Sequence, residues 1–101
     1  MPRRAARQDA NHSEIRGLAR DLGAEWVDLF QLPKTCDGIL IFRGAVAFIE
    51  IKDGSKPPSA QKLTEDEEKF RDQVRRGGGR YEIVNSGDVL IALVREIGDA
   101  R

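Results

Sequence analysis

The chain has little of what usually betrays a function at first sight. Cysteine is all but missing: Cys36 is the single one in 101 residues. That excludes a disulfide framework and a cysteine-built zinc site, and it fits a reducing, cytoplasmic compartment. Long hydrophobic runs are missing too. Nothing approaches the roughly eighteen consecutive apolar residues of a membrane helix. The basic start, Met1-Pro2-Arg3-Arg4-Ala5-Ala6-Arg7, is not followed by the apolar stretch of a secretory signal. Net charge is absent, because 17 basic and 17 acidic residues cancel. This argues against a chain that holds nucleic acid by charge alone, but leaves room for one whose carboxylates offset its basic contact residues. The only glycine run, Gly77-Gly78-Gly79, lacks the Lys-Ser/Thr of a phosphate-cradling loop and reads as a flexible turn. No internal repeat or low-complexity segment is present.

What is there suits one small globular domain. Hydrophobic residues make up 40% and charged residues 34%, and the length matches one modest core. Residues 1–8 read as a flexible basic arm and 9–101 as a single domain. The basic residues cluster at Arg3, Arg4 and Arg7, at Lys52, Lys56 and Lys62, and at Arg75, Arg76 and Arg80.

Periodicity gives the order of elements. Asn11 and Glu14 have the spacing of a capping box, followed by Ile15, Leu18, Ala19 and Leu22 on one face, which predicts a helix over 12–22 closed by Gly23. Residues 25–30 are rich in strand formers, with Trp26 and Phe30 assigned to core or a dimer interface. Residues 37–43 form an apolar strand, and Arg43-Gly44 turns tightly into another. A second capping box, Thr64…Glu67, opens a helix buried through Phe70 and Val74 and ending at Arg75-Arg76. Residues 80–84 read as a strand parallel to the central one, reached by a helical crossover. Ser86 then caps a helix with the stripe Val89, Leu90, Leu93, Val94 and Ile97, although a strand over 89–94 fits the same aliphatic run. The sum is an α/β fold, a mixed central sheet flanked by helices.

The informative stretch is Ala45-Val46-Ala47-Phe48-Ile49-Glu50-Ile51-Lys52. Its first part reads as a central strand covered on both faces. Glu50 and Lys52 then share one face, since side chains alternate along a strand. An ion pair at a strand end explains these two equally well if they are taken alone. The hairpin, however, brings Asp37, thirteen positions before Glu50, to the same end of the sheet. Two hard carboxylates, with the Ile51 carbonyl between Glu50 and Lys52, suit Mg²⁺ completed by water and phosphate. Lys52 suits an attacking water or the charge of a phosphorane-like transition state.

Cys36-Asp37…Glu50-Ile51-Lys52 resembles the PD-(D/E)xK nuclease signature. More narrowly, the chain is similar to the virus-type replication-repair nuclease (VRR-NUC) domains in their small stand-alone phage and bacterial form. The similarity runs over about residues 9–97: Asp9-Ala10-Asn11…Glu14-Ile15, Cys36-Asp37-Gly38-Ile39-Leu40, Phe48-Ile49-Glu50-Ile51-Lys52-Asp53-Gly54, Leu63-Thr64…Glu67 and Tyr81-Glu82-Ile83-Val84-Asn85-Ser86. The resemblance implies a restriction-endonuclease-like core and a Mg²⁺- or Mn²⁺-dependent DNA endonuclease, acting as a homodimer on branched DNA such as a Holliday junction. It carries Asp37 and Glu50 over as metal ligands, Lys52 as the catalytic lysine, and Glu14 as a further acid on the first helix, directly on the metal or through water. Lys56, Lys62 and Arg76 are the candidate DNA contacts. Two positions depart from the family pattern: Cys36 stands where proline is common, and Glu67 where glutamine is. Glu67 is already explained by capping.

The remaining singletons have plainer readings. His12 reads as a solvated residue at a helix start rather than a general base. Cys36 reads as a small buried hydrophobe. The rival functions are a non-cleaving nucleic-acid-binding module, a restriction-like duplex endonuclease, and an interaction domain in which Glu50 and Lys52 merely pair.

Overall fold

The computed structural model describes residues 10–100; the basic arm expected over 1–8 lies outside them. The order is α1 (His12–Asp21), β1 (Glu25–Asp28), β2 (Gly38–Phe42), β3 (Ala45–Ile51), a 3-10 turn (Pro58–Gln61), α2 (Glu65–Arg76), β4 (Arg80–Val84) and α3 (Gly87–Asp99). The four strands lie in the order β1-β2-β3-β4. β1, β2 and β3 are antiparallel neighbours, and β4 runs parallel to β3 because α2 carries the chain back across the sheet. The result is a compact α/β fold with a mixed sheet, as the periodicity predicts. Among the described residues no helix is long and apolar enough to cross a membrane.

The register follows from the turn. Arg43 and Gly44 take φ of 52° and 83°, the left-handed pair that lets a two-residue loop match the strand twist. Phe42 then pairs with Ala45, Leu40 with Ala47 and Gly38 with Ile49. These residues share the sheet face on which α1 and α3 pack. The core there joins Trp26, Leu40, Ala47, Ile49, Ile51 and Val84 to Ile15 and Ala19 of α1 and to Leu90, Leu93, Val94 and Ile97 of α3. The run 89–94 is therefore helical, its N-terminus capped by the Ser86 hydroxyl accepting from Val89 N–H at 3.2 Å. Val89 itself is exposed, outside the expected stripe.

The opposite face is thinner than the sequence suggests. α2 covers it through Phe70, which packs edge-on against Phe48 and Tyr81 with ring centroids 5.7 and 6.2 Å apart. α2 has no buried residue, so Phe70 and Val74 are only half-buried. Beyond the reach of α2, Val46 and Val27 stand 46% and 45% exposed. The central strand is thus covered fully on one face and partly on the other. A single helix is too narrow to shield four strands.

Two local expectations change. β1 stops at Asp28: Leu29 N–H still donates to the carbonyl of Asp37, opposite it in register, at 2.8 Å, and the Leu29 carbonyl then accepts from Leu32 N–H at 2.8 Å as the chain turns away. Asn11 does not cap α1 with its side chain. Its amide donates to the Lys52 carbonyl at 3.1 Å and lies 3.5 Å from that of Asn85, tying the start of α1 to the ends of β3 and β4.

Gly38 is the tightest point of the core face. A Cβ there would lie 2.4 Å from Trp26 Cζ2. Gly38→Ala is expected to cost about 1–3 kcal/mol through overpacking, read as a lower urea midpoint at unchanged slope. An unmoved midpoint would show that the Trp26 ring has room to retreat.

Candidate active site

The site grows from the charged end of β3. Glu50 is only 5% exposed and shares the α2 face with Phe48, by the alternation of the strand. Asp37 sits just before β2, where the hairpin register puts it beside the same end: its N–H donates to the Ile49 carbonyl at 3.0 Å. Its Oδ2 accepts from Ile51 N–H at 2.7 Å. The structure therefore brings Asp37, Glu50, the Ile51 backbone and Lys52 together, as the spacing leads one to expect.

The fourth member comes from α2. Glu67 completes the capping box: its Oε1 accepts from Thr64 N–H at 2.8 Å, and its own N–H donates to Thr64 Oγ1 at 3.2 Å. The same Oε1 accepts from Lys52 Nζ at 2.9 Å, while Lys52 Nζ lies 3.8 Å from Glu50 Oε2. Capping and a place in the site are not alternatives for Glu67. Together these side chains line a cleft of about 360 Å³, with Lys34, Thr64 and Phe30 also in its wall. Among the described residues no three His, Cys, Asp or Glu side chains stand ready as a metal-ligand set. Glu50 and Glu67 are instead engaged with each other and with Lys52.

Electrostatics explain that engagement. Burial pushes the Glu50 carboxyl far above its ordinary value, the charges of Asp37 and Glu67 add to the push, and Lys52 opposes it. Burial also raises Glu67, but hydrogen bonds from Lys52, Thr64 and Glu50 more than offset this and hold it below its ordinary value. Glu50 thus keeps a proton that it shares with an ionised Glu67. Burial pushes the Cys36 thiol up to about 12, and its S–H donates to the Gly38 carbonyl at 3.4 Å. It is a buried, inert thiol.

α1 turns a different residue inward from the one expected. Glu14 is exposed and lines a second cavity with Asp53 and Asn85, not the cleft of Asp37 and Glu50. His12 is the side chain that faces the site. Its Nε2 lies 3.2 Å from Asp28 Oδ1 and its Nδ1 lies 3.9 Å from Asp37 Oδ1. Far from solvated, the ring is 1% exposed and packs edge-on against Trp26 and Phe30. A signal for this exists in the sequence. His12 precedes Ile15 by three positions, so it extends the apolar stripe by one turn, whereas Glu14 is about 200° around the helix from it. Of the candidate DNA contacts, Lys56 and Lys62 are exposed on the segment leaving β3, and Arg76 lies at the far end of α2 from Glu67.

No protein-family model, curated protein or solved structure matches the chain.

The proton on Glu50 has a measurable signature. Unfolded, this carboxyl releases its proton near 4.5; folded, it keeps it to about 10. Its stabilising contribution is therefore full below 4.5 and declines as pH rises through that window. Without divalent ions, the melting temperature is expected to fall between pH 5 and 9. Glu50→Gln, which cannot ionise, is expected to flatten the fall and melt higher than wild type at pH 8. Parallel curves for the two proteins would place the titrating group elsewhere.

Proposed function

We propose that the chain is a metal-dependent DNA endonuclease with a PD-(D/E)xK core, hydrolysing phosphodiester bonds in branched DNA. The observation that carries this reading is the meeting of Asp37, Glu50 and Lys52 in one cleft at the end of a mixed sheet. The donor set suits a hard divalent ion: Asp37 and Glu50, with Asp66 and Glu67 in the same cleft, outnumber the lysines there, Lys34 and Lys52. Asp37, Glu50 and the Ile51 carbonyl are the groups that would hold Mg²⁺ or Mn²⁺. When bound, the ion supplies Lewis acidity toward the phosphate.

The chain's own residues do the rest. Asp37 is held in place by Ile51 N–H, which fixes the orientation of its carboxylate. Glu67 fixes the Lys52 ammonium beside Glu50. Once Glu50 gives up its proton and turns from Glu67, Lys52 is positioned to offset the negative charge that grows on the non-bridging oxygens as water attacks. Lys34 in the cleft wall, with Lys56 and Lys62 on the segment leaving β3, offers cations for the flanking phosphates. The likeness to the VRR-NUC signature supports branched DNA as substrate and a symmetric dimer, which would present two such clefts to one junction.

The test is cleavage of an immobile four-way junction and of a linear duplex with the same sequence, in Mg²⁺, in Mn²⁺ and in EDTA. Junction cutting is expected in either metal and not in EDTA, and Lys52→Ala is expected to slow it about a hundredfold or more. Tight junction binding without cleavage in any metal would favour the non-cleaving module. Cutting of the duplex at a fixed sequence would favour a restriction-like enzyme.

A further inference from the structure

The cleft of Asp37, Glu50 and Lys52 has two unlike walls. One is the start of α2 with its cap, which contributes Thr64, Asp66 and Glu67. The other is the connection between β1 and β2, which contributes Phe30, Leu32, Pro33, Lys34 and Thr35. The first wall is acidic and repels phosphate. The second is apolar and carries one cation.

At 55% exposure, Leu32 is the most exposed large hydrophobic side chain among the described residues. A single exposed leucine is ordinary. This one is not alone: Pro33 stands exposed next to it, and the half-buried Phe30 ring belongs to the same wall. Nor does it sit on a loose segment. Leu29 N–H donates to the Asp37 carbonyl at 2.8 Å, Leu32 N–H to the Leu29 carbonyl at 2.8 Å, and Thr35 Oγ1 to the Leu32 carbonyl at 3.0 Å. Pro33 has a fixed φ, and Lys34 holds φ of 61°, a left-handed conformation that is unfavourable outside glycine. The Phe30 ring packs edge-on against the buried His12, with centroids 5.2 Å apart. The chain thus fixes an apolar surface toward solvent and ties it, through Leu29, to the residue that carries the first acid.

DNA as substrate decides what such a surface meets. A phosphate held beside Lys52 brings its own nucleotide into the cleft. In a continuous duplex the faces of the bases are hidden in the stack, and only their edges reach the grooves. A base face meets a protein wall only after its nucleotide has left the stack. The cleft, at about 360 Å³, has the size of a small-ligand pocket, with room for one nucleotide and not for a duplex. Leucine and proline are among the side chains that proteins set between base steps. We infer that Leu32 and Pro33, together with Phe30, form a shelf for the face of one unstacked base beside the scissile phosphate, with Lys34 on the flanking phosphate. The inference rests on the endonuclease reading and adds to it a physical reason for choosing branched DNA: bases leave the stack at least cost where pairing is already interrupted.

The test places 2-aminopurine, which brightens as it leaves the stack, at each branch-point position of an immobile four-way junction in turn. The full chain carrying Lys52→Ala is added in Mn²⁺, so that binding is read with little cutting. A rise at one or more positions is expected, and adding Leu32→Ser to the same chain is expected to remove most of it. In the chain with Lys52 intact, Leu32→Ser is expected to slow junction cleavage about tenfold at an unchanged melting temperature, and Leu32→Met to restore most of the rate. A rise undiminished by Leu32→Ser, or junction cutting with no rise at any position, would overturn the shelf and leave the endonuclease reading standing. A junction neither bound nor cut would overturn both. A rise that Leu32→Ser abolishes, without cutting by the unsubstituted chain in any metal, would sustain the shelf and overturn the endonuclease reading.

Discussion

A carboxyl group buried at the end of an apolar strand sets the terms for everything near it. Glu50 follows Phe48 and Ile49 into the sheet, where a lone charge is unfavourable. Its neighbours answer that constraint in turn. The hairpin supplies Asp37, which makes the problem worse; α2 supplies Glu67, which takes a share of the proton; and Lys52 returns one positive charge. The arrangement is most favourable while Glu50 keeps its proton. A site built in this way is held closed by its own acid, and any ligand that needs the Glu50 carboxylate must first displace that proton.

The parts of this design that obey short-range rules were legible in the residues. The turn at Arg43-Gly44 sets the register, and the register places Asp37 beside Glu50. The Thr64…Glu67 box and the Ser86 cap mark their helices, and the crossover through α2 makes β4 parallel. What could not be read depends on contacts between distant segments. The burial of His12 comes from Trp26 and Phe30, which lie on the far side of a turn. The Asn11 amide has a cap position in sequence, yet it serves carbonyls at Lys52 and Asn85. The thin cover on the second face reflects how many strands one helix can span, which strand composition does not encode.

Glu67 and His12 illustrate how an adequate local explanation can hide a second set of contacts. The capping box accounts for Glu67 completely, but a carboxylate has two oxygens and several lone pairs, so capping leaves capacity to hold Lys52. His12 fits a helix start just as well. Only its position on the Ile15 stripe separates it from a surface residue, and a polar side chain on an apolar stripe is the exception that a pattern of hydrophobic spacing passes over.

The half-buried state of α2 has a mechanical meaning. Local opening of a protein starts where the fewest apolar contacts must break, and α2 contributes no fully buried side chain to the fold. It is clamped to the sheet by Phe70 at its middle and by the Lys52–Glu67 bond near its first turn. Any ligand that draws Lys52 away loosens the second clamp. The helix can then hinge outward while the two-layer half of the molecule, α1 and α3 packed on the other face of the sheet, keeps its packing. Amide protons of α2 would exchange with solvent sooner than those of β3, and the cleft would widen by the motion of the one element that the core does not need.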